Sequence, residues 1–423
     1  MYTLYGDGIH DDYPAIQEMI DSGACDVTLP APKKNYLISK TLVVPSYFKL
    51  SLPRFATIKL ADGANCPMIR NKWTAVEDDG KTVRTGRHKI WNFATRISPA
   101  AEHTCTNIEI CGGIWDFNNN GQRANPLVTL DFGENEDYTG FGFQFFNVKN
   151  LKICSMTMKD PITFALTIDI CSYFTIEDIT FDFNFGNPIA LNMDGVHLDG
   201  YCHHGVIRNL KGACYDDLVA LNAHEGYPGP ITNIDIDGIF AEDCHSAVRL
   251  LGINEKMENI HISNVYGSYY QYCIGFTKFY PEAATEAYDS ITIDHVYASK
   301  ASRKEWYPNH ESYVFPFIWI QDGVSLKNLS LSSIHRREFD VPIELLHIGK
   351  TDGEIESICL RDVTMENHTT KPIPLILNIG HVKKLLLSDV RYDGVILENE
   401  GIIEKVAGLD EISKKQTVQE TIL

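Results

Sequence analysis

Four short phrases in the middle of the chain carry side chains able to give, accept and hold protons. They read N-M-D-G-V-H-L at 192–198, Y-D-D-L-V-A-L at 215–221, D-C-H-S-A-V-R at 243–249 and G-F-T-K-F-Y at 275–280. Asp194, Asp216, His245 and Lys278 follow one another at steps of 22, 29 and 33 residues, with Asp217 beside Asp216. A D-D pair alone is commonly a solvated turn, so the meaning lies in the recurrence. Cleavage of a glycosidic bond needs one protonated carboxyl for the leaving oxygen and a second carboxylate that activates water or attacks carbon. Three clustered aspartates cannot all ionise comfortably, which leaves one available as an acid near neutrality. A histidine one step away can tune that acid by hydrogen bonding, and a lysine supplies a positive point charge.

The chain around these residues has a rhythm that would position them. N-I-E-I-C-G-G at 107, N-L-K-I-C-S-M at 150, N-I-D-I-D-G-I at 233, N-I-H-I-S-N-V at 259, S-I-T-I-D-H-V at 290 and S-I-C-L-R-D-V at 357 are six instances of one phrase. Each is a small or polar residue, apolar-x-apolar, two mostly polar residues and another apolar one. Y-F-T-I-E-D-I at 173, N-L-S-L-S-S-I at 328 and K-L-L-L-S-D-V at 384 complete the set, and H-H-G-V-I-R-N-L at 203–210 is a weaker rung. Most intervals fall between 23 and 43 residues. Strand-like alternation at such a period indicates a solenoid in which each coil buries its inward residues on its neighbours. The expected fold is all-β, a right-handed parallel β-helix. A β-sandwich has short strands too but does not predict one recurring phrase. Stacked strands sit about 4.8 Å apart, so the aspartates, His245 and Lys278 would line successive rungs of one groove.

Earlier in the chain, G-D-G-I-H-D-D-Y-P-A-I-Q-E-M-I at 6–20 predicts a turn and a short helix. Asp11 or Asp12 would cap it, Pro14 suits its first turn and Ile16, Met19 and Ile20 form its apolar stripe. Such a helix would cover the open end of the stack. Segments 70–105 and 117–140 break the rhythm and are expected to be loops over one face. The reading is a single catalytic domain over 1–423, with a cap at 1–25, coils over about 26–400 and a tail at 401–423.

Composition excludes several partners. A formal net charge of -19 argues against nucleic acid or an anionic membrane, since a phosphate-binding surface needs an excess of Lys and Arg. The N-terminus lacks a basic-then-apolar signal pattern, so the chain as given is expected in the cytoplasm, or outside the cell if a leader has been trimmed. Eleven cysteines without C-x-x-C pairing read as reduced, mostly buried small hydrophobes. No cofactor or metal is called for.

These motifs resemble the polygalacturonase family, glycoside hydrolase family 28, of the pectin-lyase-like superfamily. The opening phrase is similar to that family's G-D-G-x-x-D-D-T-x-A-I-Q, G-G-I-W-D-F-N-N-N-G at 112–121 to its G-G-x-I-D-G-x-G, and K-D-P-I-T-F-A-L at 159–166 to its N-S-P-x-W-x-L. The family's N-T-D, D-D, G-H-G and R-I-K answer to Asn192, Met193 and Asp194; Asp216 and Asp217; Cys244, His245 and Ser246; and Phe276, Thr277 and Lys278. The resemblance implies Asp216 as general acid, Asp194 and Asp217 as the pair holding and activating water in an inverting hydrolysis, His245 as support for the acid, and Lys278 as a substrate contact. Asn192 would shape the turn beneath Asp194. Phe276 stands where the family has arginine, and Arg249, four residues after His245, is the expected stand-in. The substrate would be a pectin-related or other oligosaccharide, trimmed from chain ends. Two other readings stay open: a polysaccharide lyase on the same fold, whose Asp-rich groove could bind Ca²⁺, and a non-catalytic, tailspike-like binding β-helix.

Overall fold

The computed structural model describes residues 3–72, 75–76, 83–84, 105–131, 133, 138–224, 228–252, 255–278, 288–307, 313–350, 354–408 and 419–420. The fold is a right-handed parallel β-helix. Among the described residues the helical elements are Tyr13–Asp21, Pro126–Thr129 and a 3₁₀ turn at Asn119–Gly121. The chain groups into two compact units, Met1–Ala220 with Glu225–Gly229 and Leu221–His224 with Pro230–Leu423.

In the first unit the long strands Cys105–Cys111, Val148–Lys159, Ser172–Asp182 and His203–Ala213 pair in parallel, in that order. A second sheet stacks the short strands Leu42–Val44, Ile69–Asn71, Phe143–Phe146, Leu166–Asp169 and Val196–Asp199. The second unit repeats the plan. Its long strands are Ile231–Cys244, Met257–Tyr269, Tyr288–Lys300, Leu326–Glu338, Ile355–Asn367, His381–Arg391 and Ile402–Ala407. Its short ones include Ser246–Leu251, Ile274–Thr277, Ile318–Ile320, Leu346–Ile348 and Ile376–Asn378.

The recurring phrase is the register itself. Ile236, Ile262, Ile293, Leu331, Leu360 and Leu387 are successive partners, all buried. The polar letters of the phrase have a backbone reason. Asn107, Asn150, Tyr173, Asn233, Asn259 and Ser290 have φ of 53–62°, and the residue five further on again has positive φ: Gly112, Ser155, Asp178, Gly238, Asn264 and His295. Asparagine and glycine enter this left-handed region most cheaply. These strands therefore bend at two fixed places, whereas Leu326–Glu338, Ile355–Asn367 and His381–Arg391 keep only the second bend, at Ser333, Asp362 and Asp389. The weak rung obeys the same rule at His204 and Asn209.

The N-terminal helix forms as expected, with Ala15, Ile16 and Ile20 buried. Its predicted cap needs correction at Asp12, whose carboxylate makes no capping bond. Asp12 is fully buried and accepts from the N–H groups of Tyr5 at 2.6 Å, Gly6 at 3.1 Å and Leu37 at 3.2 Å, tying the leading turn to the first coil. Asp11 accepts from Tyr13 N–H at 3.0 Å. The side-chain amide of Gln17 donates to Val43 C=O at 3.0 Å and accepts from Val43 N–H at 2.9 Å. A glutamine thus takes the place of a further strand on this edge. All eleven cysteines are free thiols, and seven are buried.

Of the two expected loop segments, most of 70–105 lies outside the described residues. The described part of 117–140 docks on residues 184–191. Asn119 and Asn184 exchange side-chain hydrogen bonds at 2.7 and 2.9 Å, Asn125 N–H donates to Asn187 C=O at 2.7 Å, and the Asn125 amide donates to Leu191 C=O at 2.7 Å. These bonds fix the stretch that leads into Asn192.

Candidate active site

In the first unit Asp194 lies in the turn before Val196–Asp199. Asn192 takes the left-handed conformation there, with φ 52°. The turn is tied on both sides: Ala165 N–H donates to Asp194 C=O at 3.0 Å, and Gly195 N–H donates to Asp217 C=O at 3.1 Å. Asp194 and Asp217 therefore occupy adjacent rungs, as their spacing predicts. Any side chain at Gly195 would meet Leu218 C=O, since a Cβ there would lie 2.6 Å from that oxygen. Asp194 and Asp217 are buried, whereas Asp216 is half-buried. Carboxylate oxygens of Asp216 and Asp217 lie within 4.8 Å of each other. Of the two, Asp216 is the more accessible to solvent.

His197, which was not singled out from the sequence, lies against Asp194. Its Nδ1 lies 2.7 Å from Asp194 Oδ2 and its Nε2 lies 3.5 Å from Asp199 Oδ1. The ring stacks on Phe164 at 3.9 Å between centroids with a 10° interplanar angle. Burial works against its charged form, but the charge of Asp199 and the hydrogen bonds that the ring donates to Asp194 and Asp199 outweigh it and push the pKa up to about 10. His197 is therefore an imidazolium near neutrality, and a cation at 2.7 Å favours Asp194 as a carboxylate. That suits Asp194 to accept a proton from water rather than to donate one. His197 stands in the quoted phrase three residues after Asp194, but only the turn geometry brings the two together.

In the second unit His245 is 3% exposed, with Nε2 3.0 Å from the Tyr307 hydroxyl. Tyr270 stands edge-on to it at 5.3 Å. Burial, followed by the nearby charges of Arg249, Arg303 and Lys300, holds its pKa well below the usual imidazole range. His245 is thus a neutral hydrogen-bonding histidine. The segment after Lys300 covers it: Lys304 pairs with Asp243 at 2.7 Å, and the Arg303 guanidinium lies 4.6 Å from the Tyr307 ring and 4.9 Å from Phe315. Neither Tyr307 nor Arg303 was legible in the sequence, because the connection carrying them has no periodicity.

Arg249 projects from its strand between the buried Val248 and Leu250, and its Nε donates to Thr277 Oγ1 at 3.2 Å. Lys278 is half-buried, and its backbone N–H donates to Gln321 Oε1 at 2.6 Å. Its side chain crosses Gly323, where a Cβ would come within 2.7 Å of Nζ. Phe276 differs from expectation in kind. It is fully buried in a column between Leu250 and Ile320, edge-on to Tyr288 at 5.5 Å. The position matched to the family's arginine is a core position here, because one residue along a strand reverses the face.

No family model matches the chain. Among curated proteins, the plasmin and fibronectin-binding protein A of Streptococcus pneumoniae is 28% identical over 162 residues, 38% of this chain and 20% of that protein. The chain thus matches about a fifth of that relative's length. Among solved structures, the Yersinia enterocolitica family 28 exopolygalacturonase superposes with a TM-score of 0.59 at 11% identity, over 96% of this chain and 76% of that one. The pneumococcal surface adhesin PfbA gives 0.52 at 13% over 96% and 92%. The endo-xylogalacturonan hydrolase of Aspergillus tubingensis gives 0.50 at 15% over 95% and 98%. At such identities the likeness is one of fold alone: the parallel β-helix that this chain shares with these proteins.

Proposed function

We propose that this protein is an inverting glycoside hydrolase acting on a pectin-related oligosaccharide. In this reading Asp216 protonates the leaving oxygen while Asp194 and Asp217 hold and activate the attacking water. His245 supports the acid, and Lys278 with Arg249 touches the substrate, as the family resemblance implies. The observation that carries the proposal is Asp194 bound at 2.7 Å to a histidine that stays protonated, one rung from a second buried aspartate. A buried acid–histidine pair also occurs at Glu344–His347, 2.6 Å apart, so what sets Asp194 apart is the second buried aspartate, Asp217, on the adjacent rung. The names of two of the structural neighbours, an exopolygalacturonase and a xylogalacturonan hydrolase, support a pectic substrate. Chain-end action is part of the proposal, with the 117–131 segment docked beside the Asp194 turn as one wall of a closed-ended groove.

The test is incubation with a panel of pectic oligosaccharides and analysis of the products. Saturated new reducing ends, released as monosaccharide or disaccharide, are expected, together with loss of at least about a hundredfold in rate for Asp216→Asn. Unsaturated, ultraviolet-absorbing products would point to a lyase instead. The second reading, a binding β-helix without turnover, is favoured by the likeness to the pneumococcal adhesin, and it predicts retained binding with no products from the whole panel.

A further inference from the structure

The outer face of the long-strand sheet in the second unit carries a ladder of aromatic rings. Phe240 stacks on Tyr266 at 5.0 Å and 3°, Tyr266 on Tyr297 at 5.4 Å and 14°, and Tyr297 on His335 at 5.3 Å and 26°. Phe240 and Tyr297 are more than 40% exposed. Beside the last two rungs is a hollow of about 600 Å³, lined also by Phe339, which is 61% exposed. The volume lies within the usual range for small-ligand sites. His368 stacks on Phe339 at 4.6 Å and 7°, backing one face of the ring. Beneath the hollow, Arg336 and Glu338 form a fully buried ion pair at 2.6 Å, and Arg336 also donates to Ile343 C=O at 2.8 Å. The floor is therefore held rigidly.

The polar rim identifies the ligand class. Arg337 pairs with Glu366 at 3.3 Å, Glu242 accepts from Ser268 Oγ at 2.8 Å, and His335 Nδ1 meets Thr364 Oγ1 at 2.7 Å. Each rim charge is compensated or hydrogen-bonded, so the hollow offers donors and acceptors without a net field for an anion. An apolar protein segment would bury the spare hydrogen-bonding capacity of these rim groups away from water, which is costly. A neutral sugar suits it: C–H groups lie against an aromatic ring while hydroxyls exchange hydrogen bonds with the rim. We propose that this hollow is a second carbohydrate site that binds a neutral sugar residue against the Phe339 ring face opposite His368, with hydroxyls meeting His335, Glu242 and the Arg337–Glu366 pair and the edge of the Tyr297 ring at the side. It is independent of the hydrolytic aspartates and holds a neutral portion of a glycan.

The experiment is affinity gel electrophoresis of the full chain in the Asp216→Asn background, with soluble neutral galactan or arabinan in the gel and polygalacturonate as the anionic counterpart. Retardation by a neutral glycan is expected. It should weaken about tenfold in Phe339→Ala, the worth of one aromatic contact, and persist in Phe339→Trp. Phe339 is largely exposed, so the alanine variant should fold, and its circular dichroism should match the parent. The proposal is overturned if no neutral glycan retards the protein, or if retardation in Phe339→Ala is the same as in the parent. It is also overturned if the patch binds only polygalacturonate, or if Phe339→Ala changes self-association alone. Neutral-glycan binding without any hydrolysis of the panel would remove the proposed function and leave this site standing.

Discussion

At the scale of single residues, His197 carries the clearest pH signature. Its folded-state pKa is raised to about 10 from an ordinary value of 6.5. Between those values the folded state holds a proton that the unfolded state has released, so this contribution to stability is complete below about 6.5 and is lost as pH rises toward 10. His197→Gln should flatten that decline. Urea titrations at intervals from pH 6 to 10, compared between parent and variant, check it, and an unchanged slope would show that His197 is not an imidazolium. The aspartates were legible from the sequence because a carboxylate pair recurring at coil spacing is a statement about rungs. His197 was not, because its partnership with Asp194 depends on a turn whose geometry no period reveals. Phe276 shows the opposite limit: the motif match was readable, but the face on which the residue lies changes with a shift of one position.

At the scale of the strand, the paired left-handed positions are the strongest local determinant of the coil. Asn259, at φ 56°, bends the strand Met257–Tyr269. Asn259→Gly should be close to neutral, whereas Asn259→Val should cost about 1–2 kcal/mol, the penalty for a β-branched residue in the left-handed region. Thermal or urea unfolding of the two variants measures the difference, and equal stabilities would mean that the bend is set elsewhere. The same positions explain why the phrase could be read at all. Its polar letters mark backbone bends and its apolar letters mark the core, so both signals repeat together. The strap over His245, from Arg303 to Tyr307, belongs to neither signal. Connections on a coil owe nothing to the repeat, and residues they bring to a site leave no trace at its period.

At the scale of the molecule, the fold was legible nearly throughout, because a solenoid writes its architecture once per coil. The N-terminal helix was legible as an element, but the bond that ties it to the edge strand was not: the Gln17 amide satisfies Val43. That single amide has a consequence for how the protein behaves in a crowded solution. A stack of parallel strands is a template, and its first rung is a growth front able to accept the backbone of another molecule. Gln17 acts as a chain terminator on that front, occupying with a side chain the donor and acceptor that a neighbouring copy would otherwise use. Gln17→Val should reopen them, and dynamic light scattering should then report particle size rising with concentration in the variant more steeply than in the parent.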